Sequence, residues 1–370
     1  MKKLLFISFL FFQLISFAQN PSLSENASVS IFTCGRGNEL YSTFGHTAIR
    51  IKDSINNLDV VYNYGAFDFR TENFYLKFVK GDLQYYINAT SYEDFILEYL
   101  NDGREVVEQT LNFKLSKKQE LFEILNASLF SDERSYTYKF IDRNCTTMVV
   151  EKVNKIIGKP LIQKVDDTSI SYRRLLYPYF EDHFWYKLGI NIIFGAKTDY
   201  KAEKLFLPIE LLNSLDKAVV DGKPIVIKKE IIVKGNELNH EFSFINSIYF
   251  IVVVLLIVVL INKRLVTLTY LFIIGLFGLF LCLVGFYSLH KEILWNYNAL
   301  LFNPLFLVLP FLNRNWFKRI VVTCLVMIII YIIVMVTKPH FLLMIPFIVA
   351  SSYFLISLLL SYKKAQMIAA

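Results

Sequence analysis

From residue 244 to residue 361 the chain is a succession of apolar runs broken only by short polar or charged joints, and this limits what it can fold into more than any other feature. Five stretches stand out, at 244–261, 266–287, 294–312, 320–336 and 341–361. Each is close to the ~20 residues an α-helix needs to cross the hydrocarbon core of a bilayer. The third is the weakest, because Asn296, Asn298, Asn303, Pro304 and Pro310 interrupt it. It fits a broken or re-entrant helix lining a cavity. The 55% hydrophobic fraction of the 370 residues therefore averages two unlike halves, since residues 20–243 carry ordinary amounts of charge.

The start of the chain indicates which side of the membrane that first half occupies. Met1-Lys2-Lys3 is a positive segment, an apolar stretch runs from Leu4 to Phe17, and Ser16-Phe17-Ala18 has the small-x-small form of a cleavage site ahead of Gln19. Residues 1–18 read as a signal peptide, with a retained anchor as the alternative. Either way residue 20 onward is exported, and no cysteine follows the apolar stretch as a lipid attachment point. The joints test this independently. If the globular half is outside, the inner joints hold Lys263, Arg264, Arg314, Lys318, Arg319, Lys363 and Lys364, and the outer ones only Lys291 and Lys338. Seven basic residues against two satisfy the positive-inside rule. The expected organisation is a signal peptide (1–18), an exported periplasmic domain (19–243) and a transmembrane domain of about five spans (244–370). Its setting is the bacterial inner membrane. The net charge of +7 gathers at membrane joints, without the basic stripe of a nucleic-acid binder.

This topology puts the loop 288–298 on the outer face, beside the exported domain. Trp295 and Tyr297 fit an interfacial aromatic belt. His290, Glu292, Asn296 and Asn298 are polar groups at membrane depth, which usually face a cavity or a site.

In the exported half, strands are expected at 28–33, 46–52, 60–64, 83–89, 104–112 and 136–141. Helices are expected at 73–79, from Ser91 to Leu100, and from Ser116 to Phe130. The segment Asp142-Arg143-Asn144-Cys145-Thr146-Thr147 then opens a helix. Val149, Val153, Ile156 and Ile157 recur at helical spacing, and Gly158 with Pro160 ends the run. With Asn144 or Asp142 as N-cap, Cys145 falls in the first turn. There the unpaired N–H groups and the helix dipole favour a thiolate and can hold an oxyanion. Three of the five histidines, His46, His183 and His240, lie in the exported half. His46 opens a strand, where a rigid sheet can aim it, and is the best candidate for a base. His183 sits in an aromatic run and His240 in the linker to the membrane. Two blander readings stand beside this one: Cys145 as a small buried hydrophobe, and a Cys34–Cys145 disulfide, which an exported location permits.

Gly45-His46-Thr47-Ala48-Ile49-Arg50, Tyr62-Asn63-Tyr64-Gly65 and Asn144-Cys145-Thr146-Thr147 resemble the exported domain of the Lnb-type lipoprotein N-acyltransferases. Phe32-Thr33-Cys34-Gly35 with Glu39-Leu40-Tyr41-Ser42, and His290 with Asn296-Tyr297-Asn298 and Asn303-Pro304, fit the same pattern, so the resemblance spans nearly the whole chain. More broadly, a histidine on a strand before a cysteine on a helix resembles circularly permuted NlpC-type, papain-like domains. The resemblance implies an α+β fold, an antiparallel sheet packed against the cysteine helix, followed by the all-α membrane bundle. It implies a Cys145–His46 pair with a third polar residue orienting the histidine. Asn63 is the natural choice, although Tyr62, Asn63 and Tyr64 are inseparable without the strand register. The implied reaction moves an acyl chain from a phospholipid through a Cys145 thioester to the α-amine of a diacylglyceryl-cysteine lipoprotein, with no cofactor and no metal. Arg36, Arg50 or Arg143 are candidates for the phosphate, each equally readable as an ordinary arginine, and His290, Asn296 and Asn298 are candidates for lipid contact. The alternatives are an exported, membrane-anchored cysteine hydrolase (a lipase or cell-wall amidase) and a non-enzymatic membrane sensor or scaffold.

Overall fold

The computed structural model describes residues 22–236, 242–261 and 263–369. The signal-peptide reading of residues 1–18 and the linker position of His240 lie outside the described residues.

Among the described residues nine strands form: β1 (Ser28–Cys34), β2 (His46–Asp53), β3 (Leu58–Ala66), β4 (Gln84–Ser91), β5 (Val106–Leu111), β6 (Ser135–Thr137), β7 (Val219–Val220), β8 (Lys223–Pro224) and β9 (Val226–Val233). Seven of them make one antiparallel sheet in the order β6-β4-β3-β2-β1-β5-β9. The helices of this half are α1 (Phe74–Lys80), α2 (Tyr92–Asn101), α3 (Leu115–Phe130), α4 (Cys145–Ile157), α5 (Tyr172–Leu176), α6 (Phe184–Ile193) and α7 (Pro208–Lys217). Because side chains alternate across a strand, each strand feeds two layers. Val29, Ile31, Ile49 and Ile51 pack with Met148, Val149, Val153 and Ile156 of α4 and with residues of α3 and α7. Phe32, Cys34, Ala48 and Val61 pack on Phe95 and Tyr99 of α2 on the other side. Two expectations shift. The strand expected at 136–141 is only three residues long, because the chain turns back on itself at the Lys139–Arg143 bridge. The helix expected from Ser116 starts at Leu115, with no side-chain cap.

The apolar half contains α8 (Ile248–Ile261), α9 (Arg264–Tyr287), α10 (Arg314–Met335) and α11 (Phe341–Ala369). Among the described residues, three helices, Arg264–Tyr287, Asn315–Met335 and Phe341–Ser361, are long and apolar enough to cross a membrane. The segment with the two prolines is a broken pair, Lys291–Leu300 and Pro304–Phe311, bent by 43°. Pro304 opens the second piece, at the position where a missing N–H is not needed, and Asn303 caps it by accepting from the Leu305 N–H at 3.0 Å. The stretch expected at 244–261 contributes only the 14-residue α8. At 1.5 Å per residue that is shorter than the ~30 Å hydrocarbon core.

The two halves are packed together. Phe184 and Leu188 of α6 belong to the apolar cluster of the bundle. The joint after α9 and the joint after α10 both touch the exported half: Ser288 Oγ donates to the Val79 carbonyl at 2.7 Å, and Lys338 Nζ lies 3.9 Å from an Asp199 carboxylate oxygen.

Candidate active site

Cys145 is the first residue of α4, and its position is fixed by a reciprocal cap. The Asn144 side chain accepts from the Thr147 N–H at 3.0 Å, and Thr147 Oγ1 accepts from the Asn144 N–H at 2.8 Å. Asn144 Nδ2 also donates to the carbonyls of Phe140 and Phe206, both at 2.9 Å, which tie the loop below it. The cap uses the third N–H of the helix. Those of Cys145 and Thr146 have no intrahelical acceptor, because a helix start orphans its first donors.

His46 is the first residue of β2, and the neighbouring strand supplies its partner. Ala48 pairs with Asn63, which puts Asn63 on the face that His46 shares. Asn63 Oδ1 lies 3.2 Å from His46 Nε2, and Asn63 Nδ2 is 3.4 Å from Thr90 Oγ1. An amide oxygen can only accept, so Nε2 carries a proton and Nδ1 is left for the thiol. Tyr62 and Tyr64, which flank Asn63, point into the opposite core, where Tyr62 donates to Asn126 Oδ1 at 2.8 Å. The register thus separates three residues that sequence alone could not.

The Cys145 thiol faces the His46 ring and the Thr47 N–H, with Thr146 Oγ1 at 3.9 Å. Burial would raise this thiol, but the charge and hydrogen bond of His46, with the Thr47 and Thr146 donors, outweigh it and bring the thiol below its ordinary value. Burial likewise opposes a charged His46. The Cys145 thiolate and the bond to Asn63 overcome that and raise the imidazole above its ordinary value. The two shifts describe one coupled pair in which thiolate and imidazolium hold each other.

Cys34 is the direct cross-strand partner of His46. Its thiol is nevertheless buried in the α2 layer, bonded with Tyr99, and burial pushes it up to about 12. Both cysteines are free, which overturns the disulfide alternative.

The sequence does not point to one residue beside the thiol, Tyr136, which Gly65 brings into view. Gly65 sits at a bulge of β3 with φ +99°, and a Cβ there would lie 3.6 Å from the Cys145 Cβ and 3.9 Å from the Tyr136 hydroxyl. The glycine therefore leaves a gap between the cysteine and a buried phenol that has no hydrogen-bond partner. Nothing in its spacing marks Tyr136 among 22 tyrosines.

The other candidates go to different places. Arg143 is exposed, two residues before Cys145, with its guanidinium 5.1 Å from the Tyr136 ring centre. Arg36 Nη2 donates to the Tyr179 carbonyl at 2.6 Å. Arg50 is not brought to the site: it is buried between Asp59 (2.6 Å) and Glu108 (3.1 Å) in the α2 layer, where two carboxylates satisfy it. His290 Nε2 meets the Phe78 carbonyl at 2.9 Å. Asn296 Nδ2 donates to the carbonyls of Ile192 (2.7 Å) and Ile193 (2.8 Å). Asn298 Nδ2 donates to those of Asn191 and Ile192, and Asn298 Oδ1 accepts from the Tyr331 hydroxyl at 2.8 Å. These asparagines satisfy the orphan carbonyls at the end of α6, so they fasten the two halves rather than line the thiol. His183 precedes α6, with its ring 5.2 Å from that of Tyr186. A second tie runs closer to the nucleophile: Lys197 bridges Asp142 (3.2 Å) and buried Glu292 (3.4 Å), and Asp142 also pairs with Lys204.

No curated protein and no solved structure matches this chain. A family model does, over the segment that carries β1 to β6, His46, Asn63 and Cys145: residues 18–177 match the model of the Lnb N-terminal periplasmic domain.

Proposed function

We propose that this protein is a lipoprotein N-acyltransferase of the bacterial inner membrane, using a permuted papain-like Cys145–His46–Asn63 site. The observation that carries the reading is the thiol at the start of α4, polarised by a histidine that an asparagine orients, in a domain fastened to a membrane bundle. The Cys145 thiolate attacks the ester carbonyl carbon of a phospholipid. The resulting oxyanion is held by the Cys145 N–H and the Tyr136 hydroxyl. As the C–O bond breaks, His46 gives its proton to the departing oxygen, and a lysophospholipid leaves behind a thioester. The α-amine of a diacylglyceryl-cysteine then attacks that carbonyl. His46, now neutral, takes the amine proton, and the thiolate departs as the amide forms. A free α-amine has a pKa of roughly 7.7–8.0, so a useful neutral fraction exists near neutral pH. Transfer must beat hydrolysis, and delivery of both lipids from the membrane into a water-poor cleft favours it.

In this reading the chain crosses the membrane five times. The ends of α9 and α10 both meet the exported half, and both helices are long enough to span, so the broken pair between them has to cross back. The 14-residue α8 makes the first crossing, the bilayer thinning locally around a helix shorter than its core. Arg143 is the arginine best placed for a lipid phosphate, since it is exposed beside Cys145.

The test is mass spectrometry of lipoprotein N-termini from cells with and without this protein, together with an assay of the full-length protein in vesicles. A labelled acyl chain should pass from phospholipid to a diacylated lipopeptide, with lysophospholipid in equal amount. Release of free fatty acid alone, with no labelled lipopeptide, would replace the transferase reading with the hydrolase.

A further inference from the structure

Helix α1 has the sequence Phe-Tyr-Leu-Lys-Phe-Val-Lys, and none of its residues is buried. Tyr75 is 75% and Leu76 61% exposed, and Phe69, Phe78 and Val79 are exposed beside them. A contiguous apolar surface of this kind marks an interaction site rather than a water-facing one. What covers it follows from where it is tied. Three of its C-terminal carbonyls are tied to the joint just after α9: Ser288 Oγ donates to the Val79 carbonyl at 2.7 Å, the Leu289 N–H to the Lys80 carbonyl at 2.7 Å, and His290 Nε2 meets the Phe78 carbonyl at 2.9 Å. Gly81 ends the helix at φ +74°, and a Cβ there would come within 2.9 Å of the His290 ring, so the attachment is close. The last turn of α9 continues the apolar surface, with Phe286 90% exposed, and Lys77 and Lys80 give α1 basic groups at headgroup level.

The same surface leads inward to the nucleophile. Phe74 packs on Phe67 with ring centres 5.8 Å apart, Phe67 packs on Tyr41 at 5.9 Å, and two residues before Phe67 is Gly65, the residue that borders Cys145. We propose that α1 dips into the periplasm-facing leaflet and forms, with Phe67, Phe69 and Tyr41, a lip that holds phospholipid acyl chains beside Cys145. The role in delivery rests on the acyltransferase reading above; insertion of α1 into the bilayer does not.

The test uses full-length protein in vesicles of phosphatidylethanolamine and phosphatidylglycerol with radiolabelled acyl chains. The photoreactive substitution Leu76→p-benzoylphenylalanine should capture labelled lipid at least about tenfold more than Ile55→p-benzoylphenylalanine, because position 55 is exposed at the far end of the sheet. Equal capture at the two positions overturns the proposal. In a second arm, Leu76→Asp puts a charge where an acyl chain should lie. The ratio of transfer from membrane phospholipid to hydrolysis of a water-soluble acetyl thioester should fall at least about tenfold. An unchanged ratio removes α1 from the delivery path. If the wild type transfers no acyl chain while position 76 still captures lipid, the lip stands and the acyltransferase reading falls.

Discussion

Cys34 and Cys145 both sit against His46, yet their surroundings make them different reagents. Cys34 is the closer in sequence and lies directly across the ladder from the histidine. Its side chain belongs to an apolar layer with Phe95, Tyr99 and Val106, and burial raises its thiol to about 12. Cys145 is 99 residues away in sequence, but it enters from the end of the sheet on a helix N-terminus and meets the imidazole together with the Thr47 N–H. Proximity to a histidine is thus insufficient. A nucleophile also needs donors that stabilise the charged form, and a helix start supplies these while the middle of a packed layer does not.

The largest expected effect tests this difference directly. Cys145→Ser should lower acyl transfer by at least about 10⁴-fold, as loss of a nucleophile does, with the fold retained. Cys34→Ser should stay active, with some loss of thermal stability, because it puts a hydroxyl into an apolar layer. Acyl transfer in vesicles and thermal melting measure both. A dead Cys34→Ser beside an active Cys145→Ser would invert the assignment.

His46→Ala comes next, with an expected loss of ~10²–10⁴-fold from the missing proton transfer, while His183→Ala should cost little. Each cysteine also has its own tyrosine, and these make a matched pair of smaller effects. Tyr99 is already bonded with Cys34, whereas the Tyr136 hydroxyl is buried without a partner beside the Cys145 gap. Tyr136→Phe should lower kcat by roughly 10²-fold with little change in KM, the pattern for loss of one oxyanion donor. Tyr99→Phe should leave kcat within a factor of about three, because it removes a bond made only by an inert thiol. Equal losses in the two variants would make Tyr136 a packing residue.

Much of the exported half was legible because its elements announce themselves locally. The alternation at 46–52, the Ser91 cap and the Asn144-Cys145 helix start all carry their signals within a few residues. What failed depends on partners distant in sequence. Arg50 reads as a possible phosphate ligand until Asp59 and Glu108 close around it. Strand β9 shows no clean alternation, because as an edge strand with Lys and Glu outward it has little buried face. The polar loop residues Asn296 and Asn298 look like site residues at membrane depth, yet their partners are carbonyls about a hundred residues earlier. Tyr136 was invisible for the same reason, since its hydroxyl and Cys145 come together only around Gly65, 71 residues earlier in the chain than Tyr136.

The smallest effect is a shift along the pH axis, and it bears most closely on why the two thiols differ. Alkylation by iodoacetamide follows the thiolate, so its rate reports each cysteine's ionisation when the labelled peptides are separated by mass spectrometry. In the wild type, Cys145 should remain reactive below the pH at which an ordinary thiol loses its charge, because His46, Thr47 and Thr146 stabilise the thiolate against burial. Cys34 should be essentially unlabelled throughout, since its thiol ionises only near 12. The sign in a variant follows from the same causes. Asn63→Ala removes one of the bonds that raise His46, so less imidazolium is present at a given pH and less positive charge faces the sulfur. The midpoint for Cys145 should therefore move upward, modestly in Asn63→Ala and further in His46→Ala, where burial is left opposed only by the Thr47 and Thr146 donors. A wild-type midpoint at or above the ordinary thiol value would remove the coupled pair. Unmoved midpoints in both variants would assign the lowered value to the helix start and the Thr47 N–H alone, leaving His46 as a proton carrier rather than the charge that holds the thiolate.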